Sequence, residues 1–591
     1  VVEAAALAGA AVVTVAAGVI GFRGVRISKT PADFLVAARR VPAALNAAAI
    51  SGEYLSAASF LGVAGLALSD GVGALWYAVG YAAGYLVLLV SVAAPLRRFG
   101  AYTIPDFAEG RLDSPLLRRL CTALVLLICG FYLLPQMEGA GETLQAAVGG
   151  PYWLGVVVLG AVVSATIASG GMKGVTFVQS FQFWLKLTAI AVPAVALLAF
   201  FHHPPLADLA RPAPARFERA TTVEFPTAQS LRLPRALHVR AFGQLGRRLV
   251  EGPVVLGAGV TQVAAHTKIV FPAGTPQPDL VGSPQLLGRA WAYPLVRLDG
   301  RLIHPLPATF GVILATFLGA LGLPHILVRF YTNPDGQTAR RTTAIVIALL
   351  SCFYLWPTVF AVLGKLEAPG LYLTGRSDTV VLALPRIAAS GAGGALLEAL
   401  VSGGAFAAFL STSSGLLIAM SGALSHDILG RGVTAFRLSA LGSGAVVTLA
   451  GLAVAGTSIN VLVGWAFAIA ASTFCPLLIL GIWWARLTWL GALVGLGVGG
   501  ATSSAAVIAS LAGVGRAGWP AVLLGVPAVW TVPLAFAVMV VVSLLKPSEL
   551  PSDVRGKLLA LHLPEEVRRR AARAQAVSMR GGSLPRSSGG L

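Results

Sequence analysis

The chain has 591 residues, 56% of them apolar and only 11% charged, with a formal net charge of +19. A soluble protein carries about 25% charged residues, so a string of soluble domains, disorder, collagen, coiled coil and a disulfide scaffold are all excluded. The basic residues are scattered over loops between apolar runs, as in the cytoplasmic loops of membrane proteins and unlike a nucleic-acid-binding face.

A helix needs about 20 apolar residues to cross the hydrocarbon core. Such runs fall at 2–20, 45–66, 72–93, 119–137, 151–169, 178–201, 307–328, 342–363, 396–422, 438–456, 458–481, 488–512 and 520–545. The expected fold class is therefore an all-α polytopic membrane protein with about thirteen transmembrane helices. The first run lacks a basic flank and a cleavage-like end, and reads as a span rather than a signal peptide. Loops 21–44, 94–118, 170–177, 329–341, 423–437 and 482–487 hold several times the Lys and Arg of the opposite short loops. By the positive-inside rule the N-terminus lies outside and the C-terminus in the cytoplasm of a cell (inner or plasma) membrane.

The chain divides into a first span with its basic loop (1–44), spans two to six (45–201), a long extracytoplasmic insert (202–306), spans seven to eleven (307–481), two peripheral spans (482–545) and a basic tail (546–591). The insert carries 13 of the 35 prolines and alternating stretches such as Thr221 to Phe225. An exterior subdomain and a disordered insert remain equally open. The tail has one amphipathic stretch, Pro564 to Val577, and reads as a topology-fixing anchor. Cys121, Cys129, Cys352 and Cys475 all lie in apolar runs without a CxxC pair and read as small buried hydrophobes, with no structural metal site.

No HExxH, GxSxG or P-loop occurs, so an enzyme is not expected. Local helix weakness recurs instead, beside polar groups at membrane depth, which is the pattern of transporter sites. In the second span Gly52 loosens the helix and Glu53 places a carboxylate there, at a cost of roughly 2.5–3.5 kcal/mol on insertion scales. It serves a cation, a proton or substrate, or else pairs structurally, with Lys186 as a candidate partner. In the seventh span Gly319, Gly322 and Pro324 break the helix at the matching place of a second five-span set. In the ninth span Ala408, Ser411 and Thr412 share one helix face, so a carbonyl and two hydroxyls can converge on a hard cation. Bonding back to the preceding turn is the alternative.

The runs Gly52-Glu53-Tyr54-Leu55-Ser56-Ala57-Ala58-Ser59-Phe60-Leu61-Gly62, Tyr102-Thr103-Ile104-Pro105-Asp106-Phe107 with Arg111, Leu323-Pro324-His325-Ile326-Leu327 with Arg329-Phe330-Tyr331-Thr332, and Ser411-Thr412 with Asp427 together resemble the sodium:solute symporter family. The likeness is greatest to its cation/acetate (monocarboxylate) branch and covers spans two to eleven. The resemblance implies a LeuT-like fold of two inverted five-helix repeats. It also implies a sodium site made by the carbonyls of Gly52, Leu55 and Ala408 and the hydroxyls of Ser411 and Thr412. Acetate permeases carry Asp where this chain has Glu53. The Thr-Ile-Pro-Asp-Phe run reads as a helix start, with Thr103 as its cap.

The resulting expectation is an importer of a short monocarboxylate (acetate, propionate or pyruvate), coupled to Na⁺ or H⁺ and working by alternating access. The coupling ion is the only cofactor, and the partners are the small carboxylate and the lipid bilayer. Substrate contacts are expected from Glu53, Tyr54, Ser56, Ser59, Trp76, Tyr77, Gly319, Gly322 and Pro324. A symporter for proline, another amino acid or a vitamin is the nearest alternative, followed by a sensor or a channel.

Overall fold

The computed structural model describes residues 2–25, 33, 36–201, 216–217, 219–225, 227–281, 286–298, 301–388, 391–430, 432–455, 459–515, 517–565 and 567. The first half of the membrane part comprises α1 (Val2–Val25), α2 (Ala43–Tyr54), α3 (Val63–Asp70), α4 (Trp76–Val87), α5 (Ala93–Phe99), α6 (Ile104–Leu112), α7 (Pro115–Val148) and α8 (Tyr152–Phe200). After a β-sheet come α9 (Pro305–Gly322), α10 (Pro324–Phe330), α11 (Gly336–Glu367), α12 (Pro369–Thr374), α13 (Val380–Ala388) and α14 (Gly391–Leu424). The chain continues through α15 (Val433–Gly451), α16 (Ile459–Ser472), α17 (Phe474–Trp483), α18 (Trp489–Leu511), α19 (Gly518–Gly525), α20 (Ala528–Leu545) and α21 (Val554–His562).

Among the described residues eleven helices are long and apolar enough to cross a membrane, and the bent pair α2–α3 makes a twelfth span. Helix α8 has 49 residues, about 74 Å at 1.5 Å per residue, against a hydrocarbon core of about 30 Å. It breaks at Gly171, whose φ of 57° and ψ of −163° lie outside the helical range and suit a residue without a Cβ. Counting α8 as two spans gives the thirteen that the hydropathy pattern predicts.

Polar caps start several of these helices. The Thr103 hydroxyl accepts from the Asp106 amide at 3.1 Å to open α6, Ser114 from Leu117 at 3.3 Å to open α7, and Asp335 from Thr338 at 2.7 Å to open α11. Nearby, Arg118 binds Asp427 and Glu109 at 2.5 Å and Asp106 at 2.9 Å, tying α6 and α7 to the end of α14. Asp106, His426 and Asp427 lie close enough together to hold a metal, but the Arg118 guanidinium already supplies their positive charge. Cys121, Cys129 and Cys475 are buried, whereas Cys352 of α11 is exposed, so the expectation of burial fails there.

The insert folds. Its strands are β1 (Thr221–Phe225), β2 (Gln229–Leu233), β3 (Leu237–Leu245), β4 (Arg248–Leu256), β5 (Gly259–Val263), β6 (Thr267–Phe271) and β7 (Asp279–Leu280). They pair antiparallel in the order β1-β6-β3-β5-β2-β7, with β4 on β3. Alternation buries Val223, Phe225, Leu231, Leu233, Val239 and Ile269 on one face, and Leu373 of α12 completes that core. The sheet is thereby seated on the membrane helices. Beyond Val567 the amphipathic stretch expected in the tail lies outside the described residues.

Candidate functional site at the broken helices

Two helix breaks lie at the centre of the bundle. Helix α2 ends at Tyr54, Leu55 turns away with φ −73° and ψ 86°, and the chain resumes through a π-turn (Ala58–Gly62) into α3. The two parts meet at 70°. Helix α9 ends at Gly322, and Leu323 (φ −75°, ψ 112°) leads into α10, with Pro324 at its first position. A proline there lacks an amide that would have had no helical partner in any case. Helix termini leave carbonyls without partners, so each break presents polar backbone inside an apolar bundle.

The expected cation ligands do come together. The Ser411 hydroxyl donates to the Gly52 carbonyl at 2.7 Å and to that of Ala408 at 3.1 Å, and Thr412 donates to the Glu53 carbonyl at 2.5 Å. Helix α2 can approach α8 this closely because residue 52 is glycine: a Cβ would run into the Gln179 carbonyl. What fills the space among these oxygens is a side chain. The Lys186 ammonium of α8 donates to the Gly52 carbonyl, to the Leu55 carbonyl at 2.7 Å and to the Ser411 hydroxyl at 2.8 Å. Lys186 is fully buried.

A sodium ion on the same oxygens would stand about 4 Å or less from that ammonium. Two unit charges at 4 Å repel by about 4 kcal/mol at an effective dielectric near 20, and three of the five oxygens already accept from the lysine. The set as folded suits one cation, and the chain supplies it.

Glu53 lies beside this cluster but turns to another partner. Its carboxylate meets the Arg329 guanidinium of α10 at 2.6 Å, both groups being shut off from solvent. Arg329 also donates to the Thr176 hydroxyl at 2.9 Å and to the side-chain amide oxygen Oε1 of Gln179. Gln179 in turn donates to the Ser411 carbonyl at 2.8 Å, so one network ties α2, α8, α10 and α14 together. The sequence offered Lys186 as the partner of Glu53; the direct partner is Arg329. A signal for the network does exist in the sequence. Thr176, Gln179, Gln182 and Lys186 recur every three or four residues in an otherwise apolar span, which puts them on one helix face.

The expected substrate residues divide into groups. Ser56 and Ser59 lie at the α2–α3 break, where Tyr132 donates to Ser56 at 3.5 Å, Ser59 and Tyr354 hydroxyls pair at 2.8 Å, and the Ala57 amide donates to Gln136 at 3.0 Å. The ring of Tyr54 packs edge-on to Tyr85 at 5.0 Å and to Tyr81 and Phe467 at 6.2 Å. His325, beside Pro324, is buried with Tyr132 at 5.3 Å, and neither of its ring nitrogens has a hydrogen-bond partner. Tyr54 was expected here; Tyr81, Tyr85, Tyr132 and Tyr354 were missed from the sequence, where isolated aromatics in apolar spans carry no distinguishing pattern, and His325 was named only within the family run.

Tyr77 lines a cavity of about 730 Å³ together with Asp70, Arg297, Tyr372, Asp378 and Trp465. Leu280 of β7 also lines this cavity, and the Tyr77 ring stands 6.2 Å from that of Tyr81, which packs on Phe467 at 5.0 Å. Trp76 packs outside it, its indole nitrogen donating to Pro294 at 2.8 Å. Gly319 and Gly322 face α16 rather than a central space. A Cβ on Gly319 would lie 2.6 Å from the Phe467 carbonyl, and one on Gly322 would strike Ala470. Their geometry is that of helix packing, which corrects the expectation that they line the substrate site.

Solved structures with this architecture are secondary transporters. The chain superposes on a substrate-bound, outward-open Na⁺-coupled sialic acid symporter with a TM-score of 0.62 at 14% identity, over 92% of this chain and 98% of that one. It also superposes on a nucleobase-cation-symport-1 family transporter, closed with bromovinylhydantoin bound, at a TM-score of 0.52 and 13% identity, over 90% and 99% of the two chains. The fold is LeuT-like.

The model described as Sodium:solute symporter family matches residues 34–203 and 296–499, more than half of the chain, and the chain belongs to that family. The matched stretches leave out the sheet. Similar proteins include an uncharacterized symporter of Cupriavidus necator, 27% identical over 88% of each chain. Another is an uncharacterized symporter of Bacillus subtilis, 27% identical over 88% of this chain and 90% of that one. The protein is a multi-pass membrane transporter of a small solute and not an enzyme.

Proposed function

We propose that this symporter imports a short monocarboxylate, of the size of acetate, propionate or pyruvate, together with one cation by alternating access. The N-terminus and the β-sheet face outward and the C-terminus faces the cytoplasm. The observation that carries the reading is the charge at the break: Lys186 and Arg329 are buried with a single carboxylate, Glu53, beside them. The cluster therefore holds two basic groups and one acidic group in a low-dielectric site, a balance that favours an anionic solute over a cationic one.

Ser56 and Ser59, the start of the resumed helix and the hydroxyls of Tyr54 and Tyr132 are the proposed carboxylate contacts, since helix N-termini favour anions. The likeness of the Ser56–Gly62 and Leu323–Arg329 runs to the monocarboxylate branch points the same way. Tyr77 and the cavity behind it form the outer approach.

Counterflow into vesicles tests this. Vesicles preloaded with unlabelled pyruvate should transiently accumulate labelled pyruvate, acetate and propionate but not proline. Protein-free vesicles give the background from unaided passage of the neutral acids. Counterflow of proline with none of pyruvate would overturn the carboxylate assignment.

A further inference from the structure

We propose that His325 reads the second carbon of the solute, so that the acid this chain prefers carries oxygen there: a 2-oxo or 2-hydroxy monocarboxylate, of the kind of pyruvate or lactate, ahead of acetate and propionate. The inference rests on the monocarboxylate reading above and narrows its substrate class.

His325 is 1% exposed, and neither of its ring nitrogens has a hydrogen-bond partner. Buried polar groups are nearly always partnered, and a ring taken out of water without a partner loses the bonds that water gave it. The ring stands at the second helix break: Leu323 leaves the helical range, Pro324 opens α10 and His325 follows at once. Pure packing would be served as well by leucine or phenylalanine, which leave no nitrogen unpaired. The imidazole suits a polar partner that enters and leaves.

Tyr132 of α7 joins this ring to the proposed carboxylate contacts. Its ring meets His325 edge-on with centroids 5.3 Å apart, and its hydroxyl donates to Ser56 at 3.5 Å. Tyr132 also packs on Phe467 at 5.6 Å, and Phe467 on Tyr81 at 5.0 Å. A three-carbon acid has three parts to match these groups. Its carboxylate suits Ser56 and the Tyr132 hydroxyl, its C2 oxygen suits His325, and its methyl group suits the Phe467 ring.

No carboxylate bonds the imidazole, and Arg329 lies one turn further along α10 on the same face. The ring is therefore uncharged, with one N–H donor and one lone-pair acceptor. Its proton can sit on either nitrogen. The nitrogen that faces C2 is thereby a donor to a keto oxygen or an acceptor from a hydroxyl. Acetate and propionate offer it only C–H groups, so the nitrogen stays unpaired when they bind. A site built to bond a solute oxygen discriminates against the analogue that lacks it for this reason. All the acids exchange, and His325 sets their order.

Competition for labelled pyruvate counterflow in vesicles tests this, with protein-free vesicles as background. Unlabelled lactate should halve the exchange at a concentration close to that of pyruvate itself. Propionate is of similar size but lacks oxygen on C2, and should need about ten- to a hundredfold more. In His325→Leu, with labelled propionate as tracer, pyruvate and lactate should weaken by that factor and propionate should stay where it was. His325→Gln, which keeps a donor and an acceptor, should retain most of the preference. Propionate matching pyruvate in the wild-type protein would overturn the proposal without any variant. So would an unchanged ranking or an equal weakening of every acid in His325→Leu, the latter being the mark of a packing role. A His325→Gln protein as unselective as His325→Leu would overturn it too.

The two readings fail separately. Proline counterflow with none of pyruvate rejects the carboxylate itself. Exchange of every acid at equal concentration, with proline excluded, keeps the carboxylate and rejects the role of His325.

Discussion

Two buried cations lie side by side at the centre of this protein, and they are held in opposite ways. Arg329 meets the Glu53 carboxylate at 2.6 Å with Thr176 and Gln179 completing its donors. Lys186 meets only carbonyls and a hydroxyl. A guanidinium's planar fork suits a fixed pair, whereas an ammonium is a compact point charge that spreads its donors over separate oxygens. The first arrangement clamps α2 to α10, and the second gathers the α2 break, α8 and α14.

The clamp should give the largest effect. Glu53→Gln leaves a buried guanidinium without its counter-charge, a loss of about 3–5 kcal/mol. Thermal unfolding in detergent should show this as a clear fall in midpoint. Arg329→Met should be similarly unstable, and the double variant should regain much of the loss. Additive losses in the double variant would mean that the two side chains do not depend on each other.

Ser411→Ala probes the lysine cage more gently. It removes one acceptor from a charged donor, worth about 1.5–3 kcal/mol. The unfolding midpoint should fall by a few degrees, less than in Glu53→Gln. An unmoved midpoint would mean that Lys186 does not depend on Ser411.

Thr412→Val is the companion variant. The hydroxyl of Thr412 reaches the Glu53 carbonyl at 2.5 Å, a bond between neutral groups worth about 0.5–1.5 kcal/mol. A small loss of stability is expected, and a fall as large as that of Ser411→Ala would place Thr412 in the cage.

The smallest effect lies at the outer cavity. Asp378 has its carboxyl pushed up to about 6 by burial, against the opposing pull of the Ile459 amide at 3.3 Å. Stability tied to its neutral form is full below the unfolded value of about 3.8 and is lost as pH rises through about 6. Asp378→Asn should flatten the unfolding midpoint between pH 4 and 7 by on the order of a few degrees and leave pyruvate counterflow in place. An identical pH trend in the variant would assign that trend to other groups.

The broken helices were legible in the sequence because glycine, proline and polar residues inside apolar runs are local signals, and the structure breaks at Leu55 and Leu323 as expected. The convergence of Gly52, Leu55, Ala408, Ser411 and Thr412 came from the family likeness combined with helix periodicity. The sequence could not show that Lys186, over 130 positions from Gly52 and over 220 from Ser411, would fill the space among those oxygens. Tertiary packing decides which of two nearby basic groups reaches Glu53, and composition is silent on it. The sheet was half visible: the alternation at Thr221–Phe225 is β1, but its seat on Leu373 is a long-range contact without a local pattern. Gly319 and Gly322 misled for the opposite reason. Glycines at a predicted break look like substrate space, whereas close approach of α16 explains them.

The most direct test of the account follows the solute in one experiment. Vesicles loaded with unlabelled pyruvate are diluted into labelled pyruvate, and exchange by way of the protein is recorded with and without excess proline. The account predicts saturable pyruvate exchange that proline leaves unchanged and that Ser56→Ala with Ser59→Ala weakens. Exchange of labelled proline with none of pyruvate would contradict it.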